Sequence, residues 1–434
     1  MRIADWRSKQ SCISYLKQVS FVKLEEMPMP IILFALMLGV FCVGTAEIVV
    51  SGLLPIVASD LSVSVPEAGL LVTGYALGVT IVGPFVTLLT TRVPRKTLVL
   101  GLMGLFVLGN IWAVFAPDYQ MLMAARVFTS LSHGTFVAVA FNLAARLSPA
   151  NKQGSAMAKI ALGFNMANAL GAPLGAFIGQ NLGWRATFVA IVVIAVFTIA
   201  LIAAFMPSIS PRSEQARTGT LRRELSVLTH SNLQFAVVTT VLAQGAVFTA
   251  STYVVPLMMD VSQFSPSAIA ALLVVFGIGA VIGNFAGGRL ADGHVMRGIT
   301  TVLSSLVVVL AVFWMTSIVP LLSAITLFFF GAVGFSIIPS LQARIQSVAV
   351  AAPTLALSVN VSAFNLGNGL GAWLGGAVIE NGFGVRAVLL AGAALAAISL
   401  AITLLSWRLD SRKTPSTREM ELGDKCPAVS SEKQ

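Results

Sequence analysis

Long apolar runs alternate along this chain with short polar breaks. A helix that crosses a bilayer needs roughly 20 apolar residues, and twelve segments meet that requirement: about 31–56, 67–90, 98–116, 119–145, 155–181, 184–206, 233–258, 267–289, 299–316, 320–347, 354–380 and 384–407. The short alternating segments of a transmembrane barrel are not seen. Residues 207–232, "PSISPRSEQARTGTLRRELSVLTHSN", form the one long polar stretch between spans and divide them six and six. The pattern predicts an all-α membrane protein with twelve transmembrane helices in two pseudo-symmetric six-helix bundles. Its predicted parts are an N-terminal segment (1–30), a first bundle (31–206), a linker (207–232), a second bundle (233–407) and a polar tail (408–434) read as disordered.

Composition agrees. The chain is 57% hydrophobic and 10% charged, against about 25% charged in soluble proteins, so too few charges remain to build a water-facing surface. The net charge of +10 could suggest nucleic acid, but its placement is a topology signal instead. Of 27 Lys and Arg residues, 24 fall in the tails and in the breaks on one side of the predicted bundle. Only Arg185 and Arg386 fall on the other side, and Arg126 lies within a span. By the positive-inside rule both termini are expected in the cytoplasm. The expected partners are the lipid bilayer and a small-molecule substrate, with no nucleic acid, and the chain is read as a monomer. Cys12, Cys42 and Cys426 are far apart, lack metal-ligand spacing and read as free thiols. The first 26 residues lack a small-residue cleavage site and are not expected to be a removable signal peptide. A surface-lying helix and an over-extended start, with Met27 directly before the first span, both remain open.

One apolar sentence is written twice. "FNMANALGAPLG" (164–175) returns as "FNLGNGLGAWLG" (364–375), with eight of twelve positions identical. The copies fall in spans 5 and 11, at equivalent places in the two halves, and the echo extends to Arg185 and Arg386. Parallel halves related by an axis along the membrane normal are one of the repeat patterns of secondary transporters, which place substrate between the halves near the midplane. Gly171, Gly175, Gly179 and Gly183 recur every four residues, as do Gly367, Gly371 and Gly375. Each series predicts a ridge without side chains along which another helix packs closely. Pro173 predicts a bend in span 5 that Trp373 does not impose on span 11.

Ionisable residues inside spans are costly in lipid and point to function. Glu47 lies in span 1, and Arg126 and His133 lie in span 4. If span 1 exits near Pro55 and span 4 enters near Asp118, Glu47 and Arg126 sit at equal depth, roughly 12 Å from the outer face. That depth permits a pair, direct or through water. His133, two turns beyond Arg126, shares its face, with Ser130 between them. Asn165, Asn168, Asn365 and Asn368, with Gln244 and Tyr253 in span 7, are the remaining candidates for a substrate cavity or for bridges between helices. A carboxyl group whose burial and distance to an arginine change with conformation can load a proton on one side of the membrane and release it on the other. No cofactor is expected; the proton gradient would supply the energy. No HExxH, P-loop or Ser/His/Asp grouping suggests an enzyme.

These motifs together resemble the twelve-helix drug:proton antiporter branch of the major facilitator superfamily, with similarity to arabinose-efflux-permease-like and chloramphenicol-exporter-like proteins over about residues 30–407. "GTAEIVVSGLLPIVASDL" resembles that family's first helix, with Glu47 at its acid. "RVFTSLSHG" resembles the fourth-helix motif, whose arginine, here Arg126, is associated with proton transfer. "GAPLGAFIGQNLGWR" resembles the fifth-helix antiporter motif, which implies export. "GGRLADG" resembles the cytoplasmic loop motif, with Asp292 at its acidic position. The first-half counterpart, "TLLTTRVPRK", keeps only Arg92, Arg95 and Lys96 of the pattern, with Thr91 in place of the acid and Pro94 in place of a glycine. The resemblance implies the major facilitator fold and proton-coupled efflux of a small organic solute, a drug such as chloramphenicol or a sugar. Import of a sugar or nucleoside is the competing expectation.

Overall fold

The computed structural model describes residues 29–90, 93–149, 152–207, 231–348 and 353–413. The readings made on the N-terminal 28 residues, on most of the linker, on the tail beyond Lys413 and on Thr91 and Arg92 lie outside the described residues. Within them the chain runs as α1 (Met29–Asp60), α2 (Val65–Leu89), α3 (Arg95–Val114), α4 (Tyr119–Leu147), α5 (Gln153–Met166, continuing through Ala167–Gly171 and Ala172–Leu182) and α6 (Trp184–Phe205). The second half follows as α7 (Ser231–Val261), α8 (Pro266–Asp292), α9 (Val295–Thr316), α10 (Pro320–Val348), α11 (Pro353–Val378, continuing through Ile379–Phe383) and α12 (Ala387–Lys413). Among the described residues, eleven of these helices are long and apolar enough to cross a membrane; α11 includes side chains outside the description.

Local chemistry sets the helix starts. Ser64 and Glu67 form a reciprocal capping box before α2: the Ser64 N–H donates to Glu67 Oε2 at 2.8 Å and the Glu67 N–H donates to Ser64 Oγ at 3.2 Å. Asp118 caps α4 by accepting from the Met121 N–H at 2.8 Å. Pro266, Pro320 and Pro353 open α8, α10 and α11, where no intrahelical N–H is lost. The span expected to end near Pro55 does not end there. Pro55 sits inside α1, which continues to Asp60; a spanning helix tolerates a proline where neighbouring helices cover the freed backbone group.

The packing repeats with a shift of six helices. In the first half α1 packs on α5 and α6, α2 on α4, and α3 on α4 and α6. In the second half α7 packs on α11 and α12, α8 on α10, and α9 on α10 and α12. The halves meet through α2 against α11 and α5 against α8, which are each other's counterparts under the same shift.

This repetition explains the doubled glycine sentence. Gly171, Gly175 and Gly179 each take a side chain of α1, namely Thr45, Val49 and Leu53. Gly367 and Gly371 of α11 lie directly against the backbone of α7 at Val241 and Gly245, and Gly375 lies against Thr249 and the Tyr253 ring. Gly183 is not part of the first ridge. Its φ of 83° makes the turn from α5 to α6, a conformation glycine adopts without a Cβ penalty. A third ridge went unread in the sequence: Gly279, Gly283 and Gly287 of α8 press on the α10 backbone at Phe328, Ala332 and Ser336.

The asymmetry expected at Pro173 is present in the backbone. Residues Ala167–Gly171 form a widened π-helical turn just before Pro173, whereas the matching stretch of α11 is regular and its wide turn comes later, at Ile379–Phe383. Pro173 offers no N–H to the carbonyl of Ala169 and its ring would crowd that carbonyl; widening the turn relieves both.

The two arginines of the echo act as clasps at matching ends. Arg185 donates to Asp60 Oδ2 at 2.6 Å and to the Ala116 carbonyl at 2.9 Å, with its guanidinium 4.1 Å from the Trp184 ring centroid. Arg386 donates to the Trp314 carbonyl at 2.6 Å and to Ser317 Oγ at 3.1 Å, 4.3 Å from the Trp314 ring centroid. Each thus ties the start of the last helix of its half to the end of the third.

Replacing Gly371 by Leu forces a side chain into the α7 backbone and should destabilise the protein by about 3 kcal/mol or more. Gly101→Ala, at an exposed position with open space around it, should leave stability unchanged or raise it by up to about 1 kcal/mol. Thermal unfolding midpoints of the two variants in detergent check the contrast.

Candidate functional site

Glu47 lies near the middle of α1 and is 8% exposed. Its carboxyl group is reached from two helices. Asn368 Nδ2, on α11 in the other half, donates to Glu47 Oε1 at 2.6 Å. His133 Nε2, on α4, lies 3.7 Å from Glu47 Oε2, beyond hydrogen-bond range. The other imidazole nitrogen, Nδ1, is 3.0 Å from the Tyr75 hydroxyl of α2, and the ring stacks at 27° on Phe164 of α5 with centroids 6.2 Å apart. With the Tyr75 hydroxyl donating to Nδ1, a neutral His133 presents its Nε2–H toward Glu47.

Arg126 meets α1 at the level expected, but not through the carboxyl group. Its Nη1 donates to the Ala46 carbonyl at 2.6 Å and its Nη2 lies 3.5 Å from the Glu47 carbonyl. The face of the guanidinium stacks on Tyr75, 4.1 Å from the ring centroid. Of the pair expected to be direct or through water, the direct contact is not made: the fork is occupied by main-chain oxygens. Carbonyl dipoles and an aromatic face both compensate a buried cation, which leaves the Glu47 oxygens to Asn368 and His133. Among the described residues Arg126 Nε has no hydrogen-bond partner. Ser130 does not join the cluster; it bonds back to the Val127 carbonyl at 2.6 Å and packs on Gly78.

The remaining sequence candidates separate into two groups. Gln244 of α7 lies over Gly367, one residue from Asn368, and its Oε1 is buried without a partner. Asn365 Nδ2 donates to its own helix at Val361, and its Oδ1, like that of Asn368, is also unpartnered. Of these three amides, Asn368 is the one in contact with α1; Gln244 sits in the α7–α11 contact. Asn168, Asn165 and Tyr253 are occupied by packing. Asn168 bonds back to the Phe164 carbonyl at 3.0 Å. Asn165 accepts from Asn284 of α8 at 2.8 Å, a bridge between the halves. Tyr253, at an interruption of α7, donates to the Ala372 carbonyl at 2.9 Å and covers Gly69 of α2.

The motif residues lie away from this cluster. Arg95 opens α3, Lys96 Nζ donates to the Ala203 carbonyl at the end of α6 at 2.7 Å, and Asp292 is exposed at the end of α8. Arg92 lies outside the described residues. Two contributors were missed in the sequence. Tyr75 gave a usable signal, being a phenol inside an apolar span where its O–H must find a partner. Asn284 gave one as the amide of "GNFAGG", but nothing local named Asn165 as its partner. Among the described residues, no three His, Cys, Asp or Glu side chains come together as a metal site requires. The arrangement places a buried carboxyl group against an amide of α11 and near an imidazole of α4.

Known proteins support the architecture. The family model described as Major Facilitator Superfamily matches residues 36–354. The inner membrane transport protein YdhP of Escherichia coli (strain K12) is 38% identical over 391 residues, covering 89% of this chain and 97% of that protein. The chloramphenicol resistance protein of Streptomyces lividans is 32% identical over 376 residues, covering 86% and 95%. Among solved structures, a bacterial homologue of the human lysosomal transporter Spinster, in its inward-facing and unoccupied conformation, aligns with a TM-score of 0.70 at 15% identity, covering 88% of this chain and 97% of that one. With a family model spanning most of the chain, a relative aligned over nearly its whole length and the six-plus-six packing, the chain belongs to the major facilitator superfamily and is a multi-pass membrane transporter.

Proposed function

We propose that this transporter is a proton-coupled exporter of a small organic solute, working by alternating access in a bacterial inner membrane with both termini in the cytoplasm. One observation carries the reading: a carboxyl group, buried at mid-helix where the halves meet, is held by a neutral amide rather than neutralised by a cation. Such a group is stable only while donors satisfy it or a proton neutralises it. Rocking of one half against the other changes those donors, and with them the affinity of Glu47 for a proton. Glu47 then loads a proton from the outer side and releases it to the cytoplasm, while solute leaves in the opposite direction. Arg126 fixes α4 on α1 and supplies the positive charge that favours proton release. His133 and Tyr75 join α4 to α2 beside the carboxyl group.

The fifth-helix motif of Gly171, Pro173, Gly175 and Gly179 supports export through the family resemblance, and the uneven bend it places in α5 suits a gate that moves in one half. The sparse polar lining supports a solute that is moderately apolar yet carries hydrogen-bond donors for Gln244 and Asn365. The chloramphenicol resistance protein among the relatives makes amphenicol-type drugs the first solutes to assay, followed by sugars.

Inside-out vesicles with an acid interior should accumulate solute when they contain the parent chain. Glu47→Gln should abolish gradient-driven uptake and flatten its pH dependence; parental uptake by that variant at every pH refutes the coupling. Uptake that needs an acid exterior instead identifies an importer. Arg126→Lys keeps the charge but gives up the planar fork and the stack on Tyr75, so uptake should fall at least about tenfold, the effect of losing roughly 1.4 kcal/mol of stabilisation in the rate-limiting state.

A further inference from the structure

The halves touch through several polar bonds, and one differs in kind from the rest. Thr73 donates to the Gly369 carbonyl at 3.1 Å, Thr80 to the Ser362 carbonyl at 3.3 Å, and Asn284 to Asn165 at 2.8 Å. None of these involves a group that can change charge. The bond from Asn368 Nδ2 to Glu47 Oε1 does. Among the described residues it is also the hydrogen bond by which the second half reaches the buried carboxyl group.

The other end of the same amide is free among the described residues: Asn368 Oδ1 is buried there with no partner. An ionised carboxyl group can only accept, so it uses the N–H of Asn368 and can offer nothing to Oδ1. A protonated one has a single O–H to donate, and Oδ1 is an empty acceptor on the residue already in contact with it. The amide therefore presents one complementary atom to each protonation state. A charge-assisted bond is roughly twice as strong as a neutral one, so the tie between α1 and α11 changes in strength and in sense when the proton arrives.

We propose that Asn368 is a positioning residue through which the second half reads whether Glu47 carries a proton, so that protonation alters the hold between α1 and α11 at the centre of the bundle. This rests on the proton-coupled reading above and assigns Asn368 a role other than solute contact. The groups that bear on Glu47 are consistent with a single reader. From α4 come Arg126 and His133, and from α2 Tyr75, all in its own half. Glu67 of α2, Tyr119 and Arg146 of α4, Lys159 of α5, Arg185 of α6, Tyr253 and Asp260 of α7, Arg289 and Asp292 of α8 and Glu380 of α11 lie toward the helix ends. Among the described residues, Asn368 is the one whose hydrogen bond reaches Glu47 from the other half.

The experiment is the pH profile of solute exchange in vesicles containing full-length variants, with thermal unfolding in detergent as the control for folding. Asn368→Leu removes the N–H that favours the ionised group. The pH of half-maximal exchange should rise by about 1–2 units, the scale of losing one hydrogen bond to a charged group. Asn368→Gln, which keeps both ends of the amide on a longer arm, should retain a pH-dependent profile nearer the parent's. The exchange variant Glu47→Gln with Asn368→Asp restores a carboxyl–amide pair with its polarity reversed across the halves. It should regain the pH dependence that Glu47→Gln alone loses, and it decides the matter if the Leu variant fails to fold. An Asn368→Leu profile that keeps the parental midpoint, with only a lower rate or a raised KM for solute, overturns the proposal and leaves Glu47 as the coupling group. Glu47→Gln behaving as the parent at every pH overturns the proton reading itself.

Discussion

A carboxyl group at the middle of a membrane-spanning helix has no water to solvate it, and every polar feature at the centre of this bundle answers to that constraint. Glu47 is met by an amide hydrogen on one oxygen and approached by an imidazole on the other. The nearest cation turns its fork to the main chain. The result is a group restrained but not permanently neutralised. A direct bidentate arginine pair would hold the charged form strongly; here the hydrogen bond comes from a neutral amide.

Glycine ridges pack the helices that carry that centre. Asn368, which reaches Glu47 from the other half, stands on a helix seated closely against α7. Gly367 and Gly371 bring α11 onto the α7 backbone, while Gly171 and Gly175 let α1 sink into α5. In lipid, where apolar side chains gain little by leaving their surroundings, close backbone approach is the main source of helix affinity. The glycines that hold each half together thus lie on the helices that carry Glu47 and Asn368 or pack against them.

Similarity between the halves ends at their chemistry. Packing partners repeat under a shift of six helices and the arginine clasps repeat with them. The charged residues do not. Glu47, Arg126, His133 and Tyr75 all belong to the first half, whereas the second contributes amides. The backbone departs from symmetry at the same stretch of sequence, with a widened turn before Pro173 and a regular helix through Trp373. The ionisable side chains of the cluster thus sit in one half, and the other half meets them with an amide.

Composition and periodicity alone determined twelve spans, their division into six and six, the helices on which Glu47, Arg126 and His133 ride, and the internal repeat. All of these follow from local rules: the length of a bilayer crossing, the cost of a buried charge and the four-residue spacing of small residues. Partner choice did not follow. That Arg126 takes the carbonyl of Ala46 rather than the Glu47 carboxyl group, that Asn168 folds back on its own helix while its counterpart Asn368 crosses to α1, and that Gly279, Gly283 and Gly287 form a third ridge were decided by tertiary structure. The rotation of each helix about its axis and its offset along its neighbours are settled jointly by many side chains. A difference of one turn, about 5.4 Å, is enough to hand a hydrogen bond from one partner to another.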